Sequence, residues 1–294
     1  MRRLLLLLLV AHAALARDVV IPPLIEPPAT DAISLTAEES LETVTAQASA
    51  CLEDVACPAA SLAFDAVLDA SRAIAYLRFV RNGRPEVCTG ALVSDAAGSR
   101  TPYLVTARHC IDSAETAAAV EIIWDLRSAS CGSNRMASYT RTYGAELLVA
   151  SEETDVALLK LKSVPPGRVF LGIDTRPLEP GTPVHRVSHA GGLSQTFVAG
   201  VVEESGWTCP RAPRRSFVYS KPTAGGIATG SSGAPLLARG LYVVGQLLGL
   251  CGAAPSNPCA PFNDMVDGAI RESWPLLAPY LDPAPPMRKR RAAR

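Results

Sequence analysis

The chain has 294 residues, of which 48% are hydrophobic and 19% are charged. These fractions are typical of a globular protein with a sizeable core, and the length allows one large all-β domain or two smaller domains. The formal net charge is zero, so the overall balance gives no reason to expect a nucleic-acid partner.

The N-terminus has the pattern of a secretory signal peptide. Residues 1–16 combine two arginines, a leucine run and small residues at the end, which predicts cleavage after Ala16, with Ala13 as the alternative. The apolar run is too short to cross a membrane, and no other stretch is long and apolar enough. We therefore expect a soluble, exported protein without a membrane partner.

The cysteines agree with export. Their number, eight, is even and predicts four disulfides in an oxidising compartment. A zinc site is the alternative, but only four histidines are present, and no close cysteine pair has a second pair or histidines at ligand spacing. We expect no metal and no other cofactor, although an oxygen-rich calcium loop would leave little local signature.

Both ends of the chain differ in composition from the middle. Residues 17–50 contain four prolines and then an acidic, Ala/Thr-rich stretch, which predicts a leader or pro-segment that is flexible and outside the core. Residues 283–294 form a proline-rich, basic tail that we interpret as disordered. The folded domain is expected over residues 51–282.

Between these ends, short apolar runs alternate with Gly and Pro turns. Strands are predicted at residues 74–80, 88–93, 103–106, 120–124, 145–149 and 156–161, and after a proline-rich hinge at 183–187, 195–202, 216–219, 235–237 and 241–248. A short terminal helix is predicted at 274–281, with Pro275 in its first turn and an early end at Pro279. Many short strands predict an all-β sandwich or a pair of barrels.

A glycine-rich stretch that enters an apolar strand is the first candidate for chemistry. Small residues around Ser232 would let the chain turn sharply and expose the hydroxyl. The backbone N–H groups of Gly230 and Ser232 would then hold the oxyanion that forms when Ser232 Oγ attacks a carbonyl. The alternative interpretation is an ordinary Gly/Ser turn before a buried strand.

Two further residues complete a possible triad. His109 follows an apolar strand, where its imidazole would be free to take a proton from serine; the alternative is a structural histidine. Asp155 opens an apolar strand, where a carboxylate needs hydrogen bonds, for example from an imidazole; the alternative is a backbone cap. The order His109, Asp155, Ser232 is one of the known triad orders, so together they predict a hydrolytic triad.

Three short motifs carry a resemblance to a known family. TARHC at 106–110, DVALLKL at 155–161 and GSSGAPL at 230–236 look like the signature stretches of trypsin-like serine endopeptidases. The chain resembles the secreted bacterial lysyl endopeptidases most closely. The resemblance, from about residue 51 to 281, implies an all-β fold of two antiparallel six-stranded barrels, about 72–176 and 183–266, with a short C-terminal helix.

The resemblance also implies a role for each triad residue. Ser232 would be the nucleophile, His109 the general base and then acid, and Asp155 the group that fixes the imidazole tautomer. The backbone N–H groups of Gly230 and Ser232 would form the oxyanion hole.

The substrate site is implied in the same way. Leu247 and Gly249 would lie on the strand that pairs with the substrate backbone. Asp264, with a one-residue shift, would be the pocket carboxylate that selects a basic P1 side chain; the alternative is a loop turn residue. Leu248 stands where lysyl endopeptidases have a histidine, so an aromatic–histidine pair would be missing here, with Trp207 as its remaining aromatic half.

Disulfide pairings are a further implication of the resemblance. It pairs Cys88 with Cys110 and Cys57 with Cys131. For the rest it leaves two options, in which Cys51 pairs with Cys251 or with Cys259 and Cys209 takes the other.

The resulting hypothesis is a secreted serine endopeptidase, made as a zymogen, that acts as a monomer on protein or peptide substrates. Ser231 stands where many animal relatives have an aspartate that binds the new N-terminus, so we expect leader removal to expose a cleft that is already formed. The alternatives are a catalytically silent binding protein with a protease fold and a disulfide-rich structural β protein. A reactive Ser232 would distinguish the enzyme from both.

Overall fold

The computed structural model describes residues 18–28, 51–57, 64–133, 135–192 and 194–283. The predicted signal peptide and the basic tail lie outside these residues. The strands, in chain order, are β1 (Val20–Ile21), β2 (Leu24–Ile25), β3 (Glu53–Asp54), β4 (Ile74–Arg81), β5 (Arg84–Val93), β6 (Tyr103–Ala107), β7 (Glu121–Trp124), β8 (Thr140–Tyr143), β9 (Ala145–Ala150), β10 (Val156–Leu161), β11 (Val169–Phe170), β12 (Gly172–Asp174), β13 (Pro183–Ser188), β14 (Thr196–Val202), β15 (Phe217–Ala224), β16 (Pro235–Ala238), β17 (Tyr242–Gly252) and β18 (Asn263–Ala269). The helices are α1 (Phe64–Ser71), α2 (Ala114–Ala119) and α3 (Ile270–Leu281).

The N-terminal half forms a curled sheet of seven strands in the order β8-β7-β4-β5-β6-β10-β9. Neighbouring strands are antiparallel, and β4 and β5 form a hairpin around Asn82 and Gly83. Both turn residues have positive φ, 52° and 74°, which suits the right-handed twist of the two strands. Apolar side chains that alternate along these strands fill the concave side of the sheet.

The C-terminal half forms a closed barrel. Its strands follow the order β17-β16-β13-β14-β15-β18, and β18 pairs back with β17 to close the ring. Closure leaves this ring without an unpaired edge. The prediction of two β-barrels is confirmed, with the difference that the first half is a curled half-barrel, whose end strands β8 and β9 do not pair with each other in the described part of the chain.

One apolar cluster joins the two halves. It combines Ile74 and Leu158 of the curled sheet with Val187 and Leu237 of the barrel, all fully buried. Helix α3 packs on the same cluster through Leu277 and its neighbours. The loops that carry the predicted catalytic residues lie beside this junction, because they follow or precede strands that contribute to it.

Helix α3 is longer than the sequence predicts. It begins at Ile270 rather than at 274 and continues past Pro279 to Leu281. Proline inside a helix removes one hydrogen bond, but Ile270, Leu277 and Leu281 are fully buried on one face, and their burial outweighs that loss. In the described residues, no helix is long and apolar enough to cross a membrane.

Residues 18–28, the described part of the predicted leader or pro-segment, are part of the fold rather than outside the core. Strand β1 pairs with β12, and β2 pairs with β11. The Ile21 side chain is 2% exposed in the cluster between the halves, and Thr175 Oγ1 accepts a hydrogen bond from the N–H of Val19 at 2.7 Å. Residues 29–50 lie outside the described part of the chain.

The structure has four disulfides in the described residues. They join Cys88 to Cys110, Cys57 to Cys131, Cys51 to Cys259 and Cys209 to Cys251. Of the two options left open by the sequence, the structure therefore has Cys51 with Cys259. The Cys88–Cys110 bond ties β5 to the turn after β6, which is the turn that carries His109.

Candidate active site

His109 and Asp155 are brought together by two neighbouring strands. His109 lies in the turn after β6, Asp155 directly precedes β10, and Ala107 pairs with Val156 in the register of the two strands. His109 Nδ1 is 2.6 Å from Asp155 Oδ2, and the backbone N–H of His109 donates to Asp155 Oδ1 at 2.9 Å. The carboxylate therefore fixes both the imidazole and the turn, and leaves Nε2 as the ring atom available for proton transfer.

The backbone at Asp155 is strained and is held in place by Gln246. Asp155 has φ of 56°, a region that non-glycine residues rarely adopt. The fully buried side chain of Gln246 donates to the Asp155 carbonyl at 2.8 Å, and the N–H of Arg108 donates to the same oxygen at 2.6 Å. Sequence reasoning missed this role of Gln246; the signal available was a polar side chain inside an apolar strand.

Ser232 lies in a turn that only glycine can build at two positions. Gly230 and Gly233 have φ of 94° and 81°. A Cβ at Gly230 would lie 2.5 Å from the carbonyl oxygen of His189, and a Cβ at Gly233 would lie 2.3 Å from Thr106 Oγ1. Such distances are far below normal contact, so the turn depends on the absence of side chains at both positions.

The N–H groups of this turn divide into two sets. Ser231 donates to the Ala228 carbonyl at 2.9 Å, and Gly233 donates to the Leu247 carbonyl at 2.8 Å. The N–H groups of Gly230 and Ser232 have no acceptor among the described residues. Two free N–H groups, one on the serine and one two residues before it, can bind an oxyanion.

Thr89 connects the serine turn to the curled sheet. Its N–H donates to the Ser232 carbonyl and its hydroxyl donates to the Gly230 carbonyl, both at 2.8 Å. The same hydroxyl accepts from the N–H of His189 at 3.0 Å, and Thr89 is fully buried. We identify Thr89 as a positioning residue that sequence reasoning missed; the signal available was its place one residue after Cys88.

The serine turn and the histidine turn are therefore neighbours. A Cβ at Gly233 would also lie 2.7 Å from the backbone nitrogen of Ala107, two residues before His109. The described residues show no hydrogen bond between Ser232 Oγ and His109 Nε2. Such contacts are often long in unliganded enzymes and shorten when substrate binds.

Ser231 carries no charge and is satisfied within its own surroundings. It is fully buried, and its hydroxyl lies 3.1 Å from Ser188 Oγ. The N–H of Ala228 donates to the same hydroxyl at 3.4 Å. The position therefore has no carboxylate to pair with a charged N-terminus.

Strand β17 runs beside the serine turn. The N–H of Leu247 donates to the Ala234 carbonyl at 2.9 Å. A β-bulge separates Leu247 from Gly249, and a Cβ built at Gly249 would meet no atom within 4 Å. Leu248 packs on Cys209 and its neighbours, while Trp207 is 57% exposed.

Asp264 lies on the face of β18 that turns away from the serine turn. A Cβ at Gly206 would lie 2.4 Å from Asp264 Oδ2, and this oxygen is buried without a hydrogen-bond partner among the described residues. Burial raises the pKa of this carboxyl above its ordinary value. The next residue, Met265, points to the opposite face and packs with Ala234, which follows the serine turn. The structure thus does not bring Asp264 to Ser232.

Two other histidines of the described residues, His185 and His189, take part in packing. His189 is fully buried and meets Tyr76 of the curled sheet edge to face, with the ring centroids 5.3 Å apart. His185 lies beside Phe197, and burial followed by the nearby charge of Arg186 lowers its pKa to about 4. Cys88, His109 and Cys110 lie within ligand distance of one another, but both cysteines are in a disulfide and offer no thiolate.

Comparisons with known proteins connect this geometry to a family. A model of the family described as lysyl endopeptidase, C-terminal domain, matches residues 45–264. The lysyl endopeptidase of Pseudomonas aeruginosa is 31% identical over 147 residues, which are 48% of this chain and 32% of that enzyme. The chain therefore spans about one third of the length of that curated relative.

Two solved serine proteases share the fold. The HtrA-type protease AlgW with a tripeptide has a TM-score of 0.53 at 17% identity, over 74% of this chain and 63% of that one. The serine endoprotease from Yersinia pestis has a TM-score of 0.50 at 17% identity, over 71% and 63% of the two chains. The fold is therefore that of the chymotrypsin-like serine proteases, and because the family model matches most of the sequence, the chain belongs to the lysyl endopeptidase C-terminal domain family.

Proposed function

We propose that this protein is an exported serine endopeptidase that hydrolyses peptide bonds with Ser232, His109 and Asp155 as its triad. One observation supports the proposal most strongly. The 2.6 Å contact between His109 and Asp155 lies beside a glycine turn that carries Ser232 and in which the N–H groups of Gly230 and Ser232 have no acceptor among the described residues. This combination is what acyl transfer to a serine requires.

In the acylation step, Ser232 Oγ attacks the carbonyl carbon of the scissile bond while its proton passes to His109 Nε2. Asp155 accepts the Nδ1–H hydrogen bond and stabilises the imidazolium. The carbonyl oxygen becomes an oxyanion between the N–H groups of Gly230 and Ser232; losing one such donor typically lowers turnover about 100- to 1000-fold. The imidazolium then protonates the leaving amine as the bond breaks.

In the deacylation step, water takes the place of the amine. His109 accepts a proton from the water as its oxygen attacks the acyl carbon, and the second oxyanion forms between the same N–H groups. Collapse of this intermediate returns the proton to Ser232 Oγ and releases the carboxylic acid. The enzyme regains its starting state, so the overall reaction is hydrolysis.

Substrate binding is assigned to strand β17. Gly249 has open space where a side chain would lie, so a substrate backbone could approach and pair with this strand without a clash. Such pairing gives affinity that does not depend on the substrate's side chains. Proteins and peptides with an extended segment are therefore the proposed substrates.

Export is supported by the four disulfides, which persist in oxidising compartments and are rare in the cytosol.

An activation mechanism based on a buried N-terminal ion pair is not part of the proposal, because the uncharged hydroxyl of Ser231 occupies the position that would need the carboxylate. The cleft would instead form with the fold. We do not propose a preference for basic P1 residues, since Asp264 faces away from the serine turn.

Labelling with a fluorophosphonate probe tests the proposal. We expect the folded protein to bind about one probe per chain, and Ser232→Ala and His109→Ala to bind none. Ser205→Ala is the matched control, because Ser205 is an exposed serine in a loop and its loss should leave labelling unchanged. Absence of labelling in folded wild-type protein would instead indicate a catalytically silent binding protein.

A further inference from the structure

The side chain before the scissile bond can reach only one region of the structure, provided that the proposed triad is correct. With its carbonyl oxygen between the N–H groups of Gly230 and Ser232, and its backbone along Leu247–Gly249, a bound substrate directs its P1 side chain into the space between these two segments. The residues that surround this space therefore determine which P1 side chain is accepted.

Apolar side chains form the walls of this space. Ile227, three residues before Gly230, is 3% exposed; Leu247 is 1% exposed and Met265 is 1% exposed. All three belong to one apolar cluster with Ala234, and Leu250 packs against its edge. Met265 reaches this cluster from β18 and forms its floor.

Neither carboxylate of β18 is placed to serve this space. Asp264 lies on the opposite face, where its Oδ2 is close to Gly206. Asp267 shares the face of Met265, but both of its oxygens accept hydrogen bonds from Arg186 at 2.8 Å, and the two side chains are fully buried. A basic P1 side chain would therefore lose its hydration without gaining a partner among these groups, which is costly.

The space is enclosed on the side of Gly226. Gly226, next to Ile227, is enclosed, because a Cβ there would lie 2.8 Å from Cys51 Sγ and 2.9 Å from the Pro258 carbonyl oxygen. The Cys51–Cys259 disulfide thus closes the region behind Ile227. We expect this enclosure to disfavour long P1 side chains such as lysine and arginine.

We infer that this protein cleaves after apolar side chains of small or medium size, and that Met265 is the residue that sets this specificity. The inference rests on the proposed function, since it assumes the triad at Ser232. It replaces Asp264 by its neighbour Met265 as the specificity residue, because the two point to opposite faces of the same strand.

Peptide substrates that differ only at P1 test the inference. On a series with Ala, Val, Leu, Phe, Lys and Arg, we expect kcat/KM for the best apolar residue to exceed that for lysine by at least about tenfold. Met265→Ala should enlarge the space and improve Phe relative to Ala. Met265→Asp should raise lysine relative to leucine at least about tenfold, since it adds a carboxylate to the pocket.

Asp264→Asn is the matched control, because it changes the adjacent residue on the other face of β18. We expect its ratio of leucine to lysine cleavage to match wild type within about twofold. Should Met265→Asp not fold, Met265→Ala and Asp264→Asn still decide between the two residues. Preferred cleavage after lysine that disappears in Asp264→Asn would overturn the inference.

The same samples distinguish a failure of the P1 inference from a failure of the proposed function. Normal fluorophosphonate labelling combined with a preference for lysine would overturn the P1 inference and leave the proposed function intact. Absence of labelling in folded protein would overturn the proposed function, and the P1 inference with it.

Discussion

The two halves of the site are held in different ways. His109 and Asp155 are joined by side-chain hydrogen bonds between neighbouring strands of the curled sheet. Ser232 is held by backbone hydrogen bonds and by glycines that pack directly against neighbouring chain atoms. The base half thus depends on charge and proton position, whereas the nucleophile half depends on shape. Substitutions of matched size should therefore act differently in the two halves.

The largest effect is expected from Asp155→Asn, which keeps the shape and changes the proton. An amide can donate to His109 Nδ1, which would place the imidazole proton on Nε2, where it cannot accept the serine proton. We expect kcat to fall about 10⁴-fold, because a histidine in the wrong tautomer cannot act as the general base, with little loss of stability. Steady-state kinetics and urea unfolding measure the two quantities.

Asp112→Asn is the control for this variant, since Asp112 is exposed in the same turn region and should keep wild-type activity. If Asp155→Asn retained activity within about tenfold of wild type, the proton-based account of the base half would be wrong.

A smaller but still large effect is expected from Gly233→Ala, which changes shape alone. The added Cβ would lie 2.3 Å from Thr106 Oγ1 and 2.4 Å from the Thr89 carbonyl oxygen. We expect kcat/KM to fall at least about 100-fold, and the free energy of unfolding to fall by at least about 1–3 kcal/mol for the strained φ. The same kinetic and unfolding measurements apply.

Gly240→Ala separates backbone strain from the clash. Gly240 also has positive φ, 95°, but a Cβ there would meet no atom within 4 Å. This variant should lose about 1 kcal/mol of stability and retain full activity. Equal activity in the two alanine variants would show that close packing at Gly233 does not hold the nucleophile half.

The last effect leaves the triad unchanged and concerns the pH dependence of the stability of the barrel that carries Ser232. Burial lowers the pKa of His185 to about 4 from an ordinary value of 6.5, so the unfolded chain binds its proton more readily than the folded one. The contribution of His185 is therefore constant above pH 6.5, becomes unfavourable as the pH falls from 6.5 to 4, and is constant again below. We expect wild type to lose about 2–3 kcal/mol more than His185→Gln between pH 7.5 and 4.5, measured by urea unfolding. An equal loss in both proteins would contradict this.

The sequence predicts the strands well because alternating apolar residues give each strand one apolar face, and burial of these faces drives the sheets to form. Most predicted strands from residue 74 onward have a counterpart in the structure, since turn residues such as Asn82-Gly83 bound them locally. Motif order was sufficient to select His109, Asp155 and Ser232 as candidates. These patterns are local, and local patterns are visible in a sequence.

What the sequence could not supply depends on contacts between distant segments. Strand β1 has two residues, too few for a periodic pattern, and forms only because β12 and the core cluster accept Ile21. The face on which Asp264 lies is decided by strand register, where a shift of one residue reverses every side chain. The pairing of β17 with β18 also shifts its register at the β-bulge between Leu247 and Gly249, a feature that the sequence analysis does not predict.

The N-terminal segment 18–28 has a consequence for maturation. It contains no cysteine and is attached by strand pairing, by the Ile21 side chain and by ion pairs of Asp18 with Arg271 and of Glu26 with Arg100. Any cut within residues 29–50 would turn it into a separate peptide held without covalent bonds. The mature protein would then be a two-chain assembly, whose refolding depends on the concentration of its own N-terminal peptide.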